Sequence, residues 1–295
     1  MNKPDNWQQR ARAQAELVLE RVLPAENSLP QRLHQAMRYA VLGGGKRLRP
    51  LLVLAAAEFG QSEAAAAEAA LAAVELVHVY SLVHDDMPAM DNDSLRRGKP
   101  TCHVQYDEAT ALLVGDALQT LAFDVLSRPN GLPAQRQLQM VHTLARASGS
   151  LGMAGGQAID LQSVGQHIGQ AELETMHRLK TGALIRAAVA LGALSCPDLD
   201  DAALARLDDY AAKLGLAFQV IDDVLDCEAD TATLGKTAGK DQEADKPTYV
   251  KLMGLNAARD YAERLVAEAQ QALSGFDTRA DRLRQLAAFV TERRN

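Results

Sequence analysis

The chain has 295 residues, 47% of them hydrophobic and 23% charged, with a net charge of -7. That balance suits a folded globular protein and argues against a nucleic-acid binder, which would carry a basic surface. Aromatics make up only 4% and alanine and leucine dominate, so helices are favoured over sheets. Cys102, Cys196 and Cys227 are scattered and odd in number, which fits reduced thiols in a cytoplasmic protein better than a disulfide framework or a zinc site. The N-terminal Met1 to Arg12 lacks the apolar core of a secretory signal. Apolar stretches such as Leu51 to Ala57 fall short of the roughly 20 residues of a membrane span, so no stable membrane insertion is expected.

Helical periodicity recurs along the chain, broken by short Gly, Pro and Asp/Asn clusters. The spacing predicts helices over Gln8–Leu23, Gln31–Leu42, Pro50–Phe59 and Glu63–Asp86. Pro88 to Tyr106 reads as a loop, because it is polar and broken by Gly98 and Pro100. Further helices are expected near Asp107–Leu126, Ala134–Leu161, Leu173–Leu179, Gly182–Leu194 and Asp200–Asp226. A polar, lysine-rich loop from Thr231 to Pro247 precedes two last helices, Asn256–Leu273 and Ala280–Arg293. No Gly/Ser/Pro linker divides the chain and no repeat stands out, so residues 1–295 read as a single all-α domain.

Two aspartate clusters carry the chemistry. The first, Asp85-Asp86-Met87-Pro88-Ala89-Met90-Asp91-Asn92-Asp93, places four carboxylates within nine residues at a helix end. Pro88 should end that helix and let Asp91 return towards Asp85. His78, Ser81, Leu82 and Asp85 share one helical face. The second cluster runs from Gln219 through Asp222, Asp223 and Asp226, again on one face. Such like charges repel unless a cation offsets them. Oxygen ligands with no histidine or thiolate beside them suggest magnesium, which takes one or two carboxylates and completes its shell with water and phosphate. Either cluster alone could equally be a solvated acidic helix end.

Cations recur beside these carboxylates. Lys46, Arg47 and Arg49 follow three glycines at a loop-to-helix junction, a setting that suits a phosphate although it is not a Walker motif. Arg96 and Arg97 come directly after the first cluster, while Lys180, Lys236, Lys240 and Lys246 lie nearer the second. Gly149, Gly152, Gly155 and Gly156 lack the preceding strand of a dinucleotide-binding turn and read as close helix packing. His34, His103, His142, His167 and His177 show no ligand or triad spacing, so structure is their default role.

Taken together, these residues resemble the trans-isoprenyl diphosphate synthase family, in particular its bacterial branch that stops at fifteen carbons. The matched stretches are Gly44 to Pro50, Tyr80 to Thr101, Gly115 to Leu118, Gly155-Gly156-Gln157, Lys180-Thr181-Gly182, Phe218 to Asp226 and Gly235 to Asp241. The resemblance implies a bundle of antiparallel helices around a deep central cavity, active as a homodimer. It implies that isopentenyl diphosphate is condensed with dimethylallyl and then geranyl diphosphate, giving (2E,6E)-farnesyl diphosphate and pyrophosphate. Lys46, Arg49, His78 and Arg97 would hold isopentenyl diphosphate. Arg96, Lys180 and Lys236 would hold the allylic diphosphate with three magnesium ions, and Lys246 would be a further substrate-binding residue. Asp85, Asp86 and Asp91 would form one metal cluster, and Asp222, Asp223 and Asp226 the other. Thr181 and Gln219 would face the allylic carbon.

Tyr80, five residues before Asp85, would form the floor that limits product length, although Ser81 points more nearly in the direction of Asp85. Pro247 and Val250 depart from the family's usual residues beyond the second motif. The alternatives are a geranyl or geranylgeranyl diphosphate synthase, a terpene cyclase, and a non-catalytic subunit of a heteromeric synthase. A cyclase would leave the second cationic group superfluous. A non-catalytic subunit would be expected to lose one aspartate cluster.

Overall fold

The computed structural model describes residues 6–228 and 247–292. Helix α1 (Trp7–Val22) precedes α2 (Gln31–Val41), α3 (Leu48–Ala57) and the long α4 (Ala64–Asp85). A two-residue hairpin follows, β1 (Leu95–Arg96) with β2 (Lys99–Pro100), and then a single turn α5 (Cys102–Gln105). Helices α6 (Glu108–Ser127), α7 (Ala134–Ser148), α8 (Met153–Ser163) and α9 (Gln170–His177) come next. A π-helical turn, Arg178–Gly182, feeds α10 (Ala183–Leu194) and α11 (Asp201–Glu228). Beyond residue 246 lie α12 (Tyr249–Met253), α13 (Leu255–Ala272), a 3-10 turn at Thr278–Ala280 and α14 (Asp281–Glu292).

The expected all-α architecture is what the chain adopts. Helix α4 is buried on every side from Ala66 to Val83, and α10 is nearly as enclosed. A helix apolar all round belongs at the centre. Helix α4 packs on α3 and α6, α10 on α3 and α11, and α11 along α13. The first and last helices both reach α3. At Gly192 of α10 an added Cβ would stand 2.2 Å from the carbonyl oxygen of Val53, so only glycine lets α10 and α3 approach this closely. Tyr210 ties α11 to α14 by donating to the carbonyl of Leu283 at 2.7 Å.

Three expectations need correction. The helix read over Ala134–Leu161 is two helices, α7 and α8, broken between Ser148 and Met153. Gly152 sits at φ -143° and ψ -132°, outside helical space, and a Cβ there would lie 2.2 Å from the carbonyl oxygen of Ala147. The stretch Pro88–Tyr106 is not wholly loop. Arg97 and Gly98, at φ 53° and 72°, form the kind of two-residue turn that closes a tight hairpin, with Arg96 opposite Lys99. Finally, α4 (22 residues) and α6 (20 residues) are long and apolar enough by composition to cross a membrane. Most of α4 is covered by protein, as in the core helix of a globular bundle. The loop expected from Thr231 to Pro247 lies outside the described residues except for Pro247.

Candidate active site

The end of α4 turns as the proline predicts. The backbone N–H of Asp91 donates to the carbonyl of Asp85 at 2.8 Å, and that of Asp93 to Asp86 at 3.0 Å, so Asp91 returns beside Asp85. The hairpin then brings Arg96 back over the helix end. Its Nε lies 2.9 and 2.7 Å from the two oxygens of Asp86, and its Nη2 lies 2.5 Å from Oδ1. Asp86 is buried, and both of its oxygens accept from this fork. Asp85 is left with less compensation. Burial pushes its carboxyl up to about 6, Asp91 and Asp86 add to the rise, and Lys180 and Arg96 oppose it.

The π turn supplies the middle of the site. Such wide turns inside helices recur at functional positions because they re-aim side chains. Here Lys180 Nζ lies 2.6 Å from Oδ2 of the buried Asp160, within reach of the charge on Asp85. Next to it, Thr181 donates to Gln219 Oε1 at 2.9 Å. Gln219 belongs to α11, and its amide lies 3.5 Å from Asp223. Asp223 is buried and accepts the backbone N–H of Tyr249 at 2.8 Å, which ties α11 to the start of α12. Asp222 and Asp226 are half-buried on the same helix, and the charge of Asp222 reaches Arg49.

Two cavities adjoin at this point. One, of about 440 Å³, is lined by Lys46, Arg49, His78, Arg97 and Phe218 among others. The other, about 340 Å³, runs from Asp85, Lys180 and Thr181 past Gln157 and Met153 to Tyr80, Ser81 and His84. Arg49 and His78 line both. His78 is held well below its ordinary value, by burial first and then by Arg49, Arg97, Arg96 and Arg47, so it stays neutral among four guanidinium groups. The first cavity is therefore lined by more cationic than anionic side chains, Lys46, Arg47, Arg49 and Arg97 against Glu75. The second is charged at its mouth and apolar further in.

Among the described residues, no three His, Cys, Asp or Glu side chains converge closely enough to enclose a metal ion by themselves. Half-buried aspartates at the end of α4 and along α11, with Asp85 in the cavity wall, are oxygen donors that fit a hard divalent ion taking part of its shell from substrate oxygens. They do not fit a closed structural site.

Lys46, Arg49, His78, Arg97, Asp85, Lys180, Thr181, Tyr80 and Ser81 line these two cavities. Asp86 and Arg96 line a third, and Asp91, Gln219, Asp222, Asp223 and Asp226 are in none of these walls. Lys236 and Lys246 lie outside the described residues. Tyr80 and Ser81 both line the elongated cavity; Ser81 spends its hydroxyl on the carbonyl of His78 at 2.9 Å. The glycine cluster does pack tightly, but only Gly156 marks contact with another element. A Cβ there would stand 2.1 Å from the backbone nitrogen of Lys180. Sequence reasoning missed Asp160, Glu75 and Gln157. The first two were detectable as carboxylates with apolar neighbours on both sides in the sequence.

A helical bundle that collects two aspartate motifs and a set of cations above an apolar cavity has the architecture of an enzyme handling diphosphate esters with apolar tails. The chain belongs to the polyprenyl synthetase family, whose profile matches residues 30–283. It is 50% identical over 287 residues to a probable farnesyl diphosphate synthase of Sinorhizobium fredii, spanning 96% of this chain and 86% of that one. It is 51% identical over 266 residues to the farnesyl diphosphate synthase of Escherichia coli, spanning 88% of each. A geranyltransferase from Helicobacter pylori, solved in complex with magnesium and isoprenyl diphosphate, superposes with a TM-score of 0.88 at 32% identity, covering 99% of both chains.

Proposed function

We propose that this chain joins isopentenyl diphosphate to dimethylallyl and then to geranyl diphosphate, releasing pyrophosphate and stopping at farnesyl diphosphate. The observation that carries this reading is the pair of adjoining cavities with Arg49 and His78 in the wall they share. Two diphosphates held on either side of that wall would present their reactive carbons to one another. Relatives that are about half identical and named farnesyl diphosphate synthase support the same product.

In this reading Lys46, Arg49, Arg97 and neutral His78 hold isopentenyl diphosphate. Lys180 and Arg96, with Lys236 and Lys246 from the second motif's side, hold the allylic diphosphate. Asp85, Asp86 and Asp91 on one side and Asp222, Asp223 and Asp226 on the other would hold magnesium, three ions with the allylic substrate present, which would supply positive charge to the diphosphate. The cations favour departure of pyrophosphate with the electron pair of the allylic C–O bond. The isopentenyl double bond then bonds to the allylic carbon, and a proton leaves to an oxygen of the released pyrophosphate. Thr181 and Gln219 turn their oxygens towards the carbon that becomes positive, while the apolar wall keeps water from it. The tail lies along Met153 and Ser81 and ends against Tyr80.

We further propose that residues 1–295 act as one domain, that the enzyme works as a cytoplasmic homodimer, and that it binds no nucleic acid. The test is product length. Purified protein with magnesium and isopentenyl diphosphate is given dimethylallyl, geranyl or farnesyl diphosphate in turn. Turnover of the first two, ending at fifteen carbons, is the expected result. Ten- or twenty-carbon products would overturn the assignment of product. No condensation with any of them would overturn the activity itself.

A further inference from the structure

Arg47 stands between Lys46 and the start of α3 in the wall of the same cavity, but its guanidinium is committed to carboxylates and a carbonyl rather than left to the cavity. Its side chain is 1% exposed. Nε donates to Glu16 Oε1 at 2.7 Å and Nη2 to Glu16 Oε2 at 3.1 Å. Nη1 donates to Glu75 Oε1 at 2.8 Å, and Nη2 also reaches the carbonyl of Val41 at 2.6 Å. One guanidinium thus fastens the Gly43–Arg47 loop to α1, to the end of α2 and to the middle of α4. Glu75 is itself 2% exposed, a buried carboxylate in the middle of a largely apolar helix.

The backbone at Arg47 is also unusual. It adopts φ 51° and ψ 36°, a left-handed conformation that a residue with a Cβ takes up only when its surroundings impose it. Here the four hydrogen bonds impose it. Arg47 and Glu75 border the cavity together with Lys46 and Arg49, and there the Arg47 guanidinium turns to Glu16, Glu75 and Val41. The loop also seats Arg97, whose guanidinium lies where a Cβ on Gly45 would fall, 2.5 Å from Nη1. Glu75 and His78 lie one turn apart on α4, so the anchor and the cavity wall belong to one rigid element.

We propose that Arg47, clamped by Glu16 and Glu75, is a positioning residue for the anion site formed by Lys46, Arg49 and Arg97. This rests on the reading above that this cavity takes isopentenyl diphosphate. Arg47 does not meet the substrate; it fixes the loop from which the others reach it. A buried ion cluster is costly to desolvate and is a poor source of stability, so a role in fixing geometry accounts for its presence.

The decisive variant is Arg47→Met with Glu75→Leu, which removes one charge of each sign and leaves no unpaired charge in the core. Electrostatics alone predicts little change, because the net charge beside the cavity is unaltered. Positioning predicts that KM for isopentenyl diphosphate rises at least tenfold, while KM for the allylic substrate and kcat move by far less. Glu75→Leu alone is the second arm, since Arg47 stays paired with Glu16. Loss of a carboxylate beside an anion site would tighten binding by charge alone; positioning predicts weaker binding. Arg49→Met serves as the reference for the site. If it raises KM for isopentenyl diphosphate and both Glu75 variants do not, the positioning role falls and the site stands. If Arg49→Met leaves that KM unchanged, the site and the proposal fall together. Equal changes in both KM values and kcat would show a general structural role and overturn the proposal.

Discussion

The side-chain amide of Gln119 donates to the phenol oxygen of Tyr80 at 3.1 Å, joining α6 to α4 across the closed end of the elongated cavity. The ring of His84 stands edge-on to Tyr80, with centroids 5.9 Å apart at 75°. His84 in turn fills the space that a side chain on Gly115 would occupy, 1.9 Å from the position of its Cβ. Tyr80, the proposed floor, is thus braced from two sides, by Gln119 and by His84.

Tyr80→Ala should open the cavity and move the main product beyond fifteen carbons. Gln119→Ala should act in the same direction but less strongly, giving a minor longer product, because Tyr80 keeps its bulk and loses only its brace. Chromatography of dephosphorylated products checks both. An unchanged product distribution in Tyr80→Ala would remove that residue from the role.

Lys180 and the buried Asp160 form a 2.6 Å ion pair in front of the first aspartate cluster. Removing one preorganised charge aimed at a departing anion commonly costs about 10²–10³ in kcat. Lys180→Ala should fall in that range. Asp160→Asn keeps the shape and a hydrogen-bond acceptor but frees the ammonium group to wander, so about a tenfold loss of kcat is expected by the same reasoning about misplacement. Steady-state kinetics with saturating substrates would separate the two.

Magnesium dependence tests the carboxylates. Chelation should abolish turnover, and added magnesium should restore it. Asp85→Ala should lose at least about a hundredfold in kcat while its helical circular dichroism stays unchanged, since the loss of one charge stabiliser is of that size. Removing Asp85 also relieves crowding among like charges, so the thermal midpoint should hold or rise. Normal activity with normal metal dependence in Asp85→Ala would sink the first-cluster assignment.

His177 offers a pH test away from the carboxylates. It is buried, stacked on Tyr249 at 5.5 Å, and neither ring nitrogen has a hydrogen-bond partner. Burial pushes its pKa down from 6.5 to about 3. The unfolded chain therefore takes up a proton near pH 6.5, which the folded chain refuses until about pH 3. The stability tied to this group is full above the unfolded value and is lost as pH falls, by at most about 1.4 kcal/mol per pH unit. His177→Phe should flatten that acid limb in urea titrations between pH 7 and 5. A slope equal to that of the unaltered protein would rule His177 out as its source.

The sequence was most legible where a signal is local and periodic. Helix α4 could be read from its apolar run, and the return of Asp91 to Asp85 from Pro88. Helix α11 showed its Gln219 and aspartates by simple spacing. Less visible was what depends on partners distant in the chain. Nothing near Asp160 announces Lys180, and nothing near Glu75 announces Arg47, because each pairing is made only when separate helices pack. The break between α7 and α8 was hidden for another reason. Glycine every third residue reads as helix packing, whereas here Gly152 turns the backbone out of the helix. The π turn at Lys180 has no local signature at all in these residues.

One helix carries the anchor Glu75, the wall residue His78, the floor at Tyr80 and the carboxylate Asp85. At about 1.5 Å per residue, the reach from carboxylate to floor is set by counting along a single rigid rod. Under the proposed function, the catalyst and the gauge that measures its product are therefore the same object. Changing which rung bears the large side chain resets the length in steps, and the chemistry at the end of the rod has no need to move.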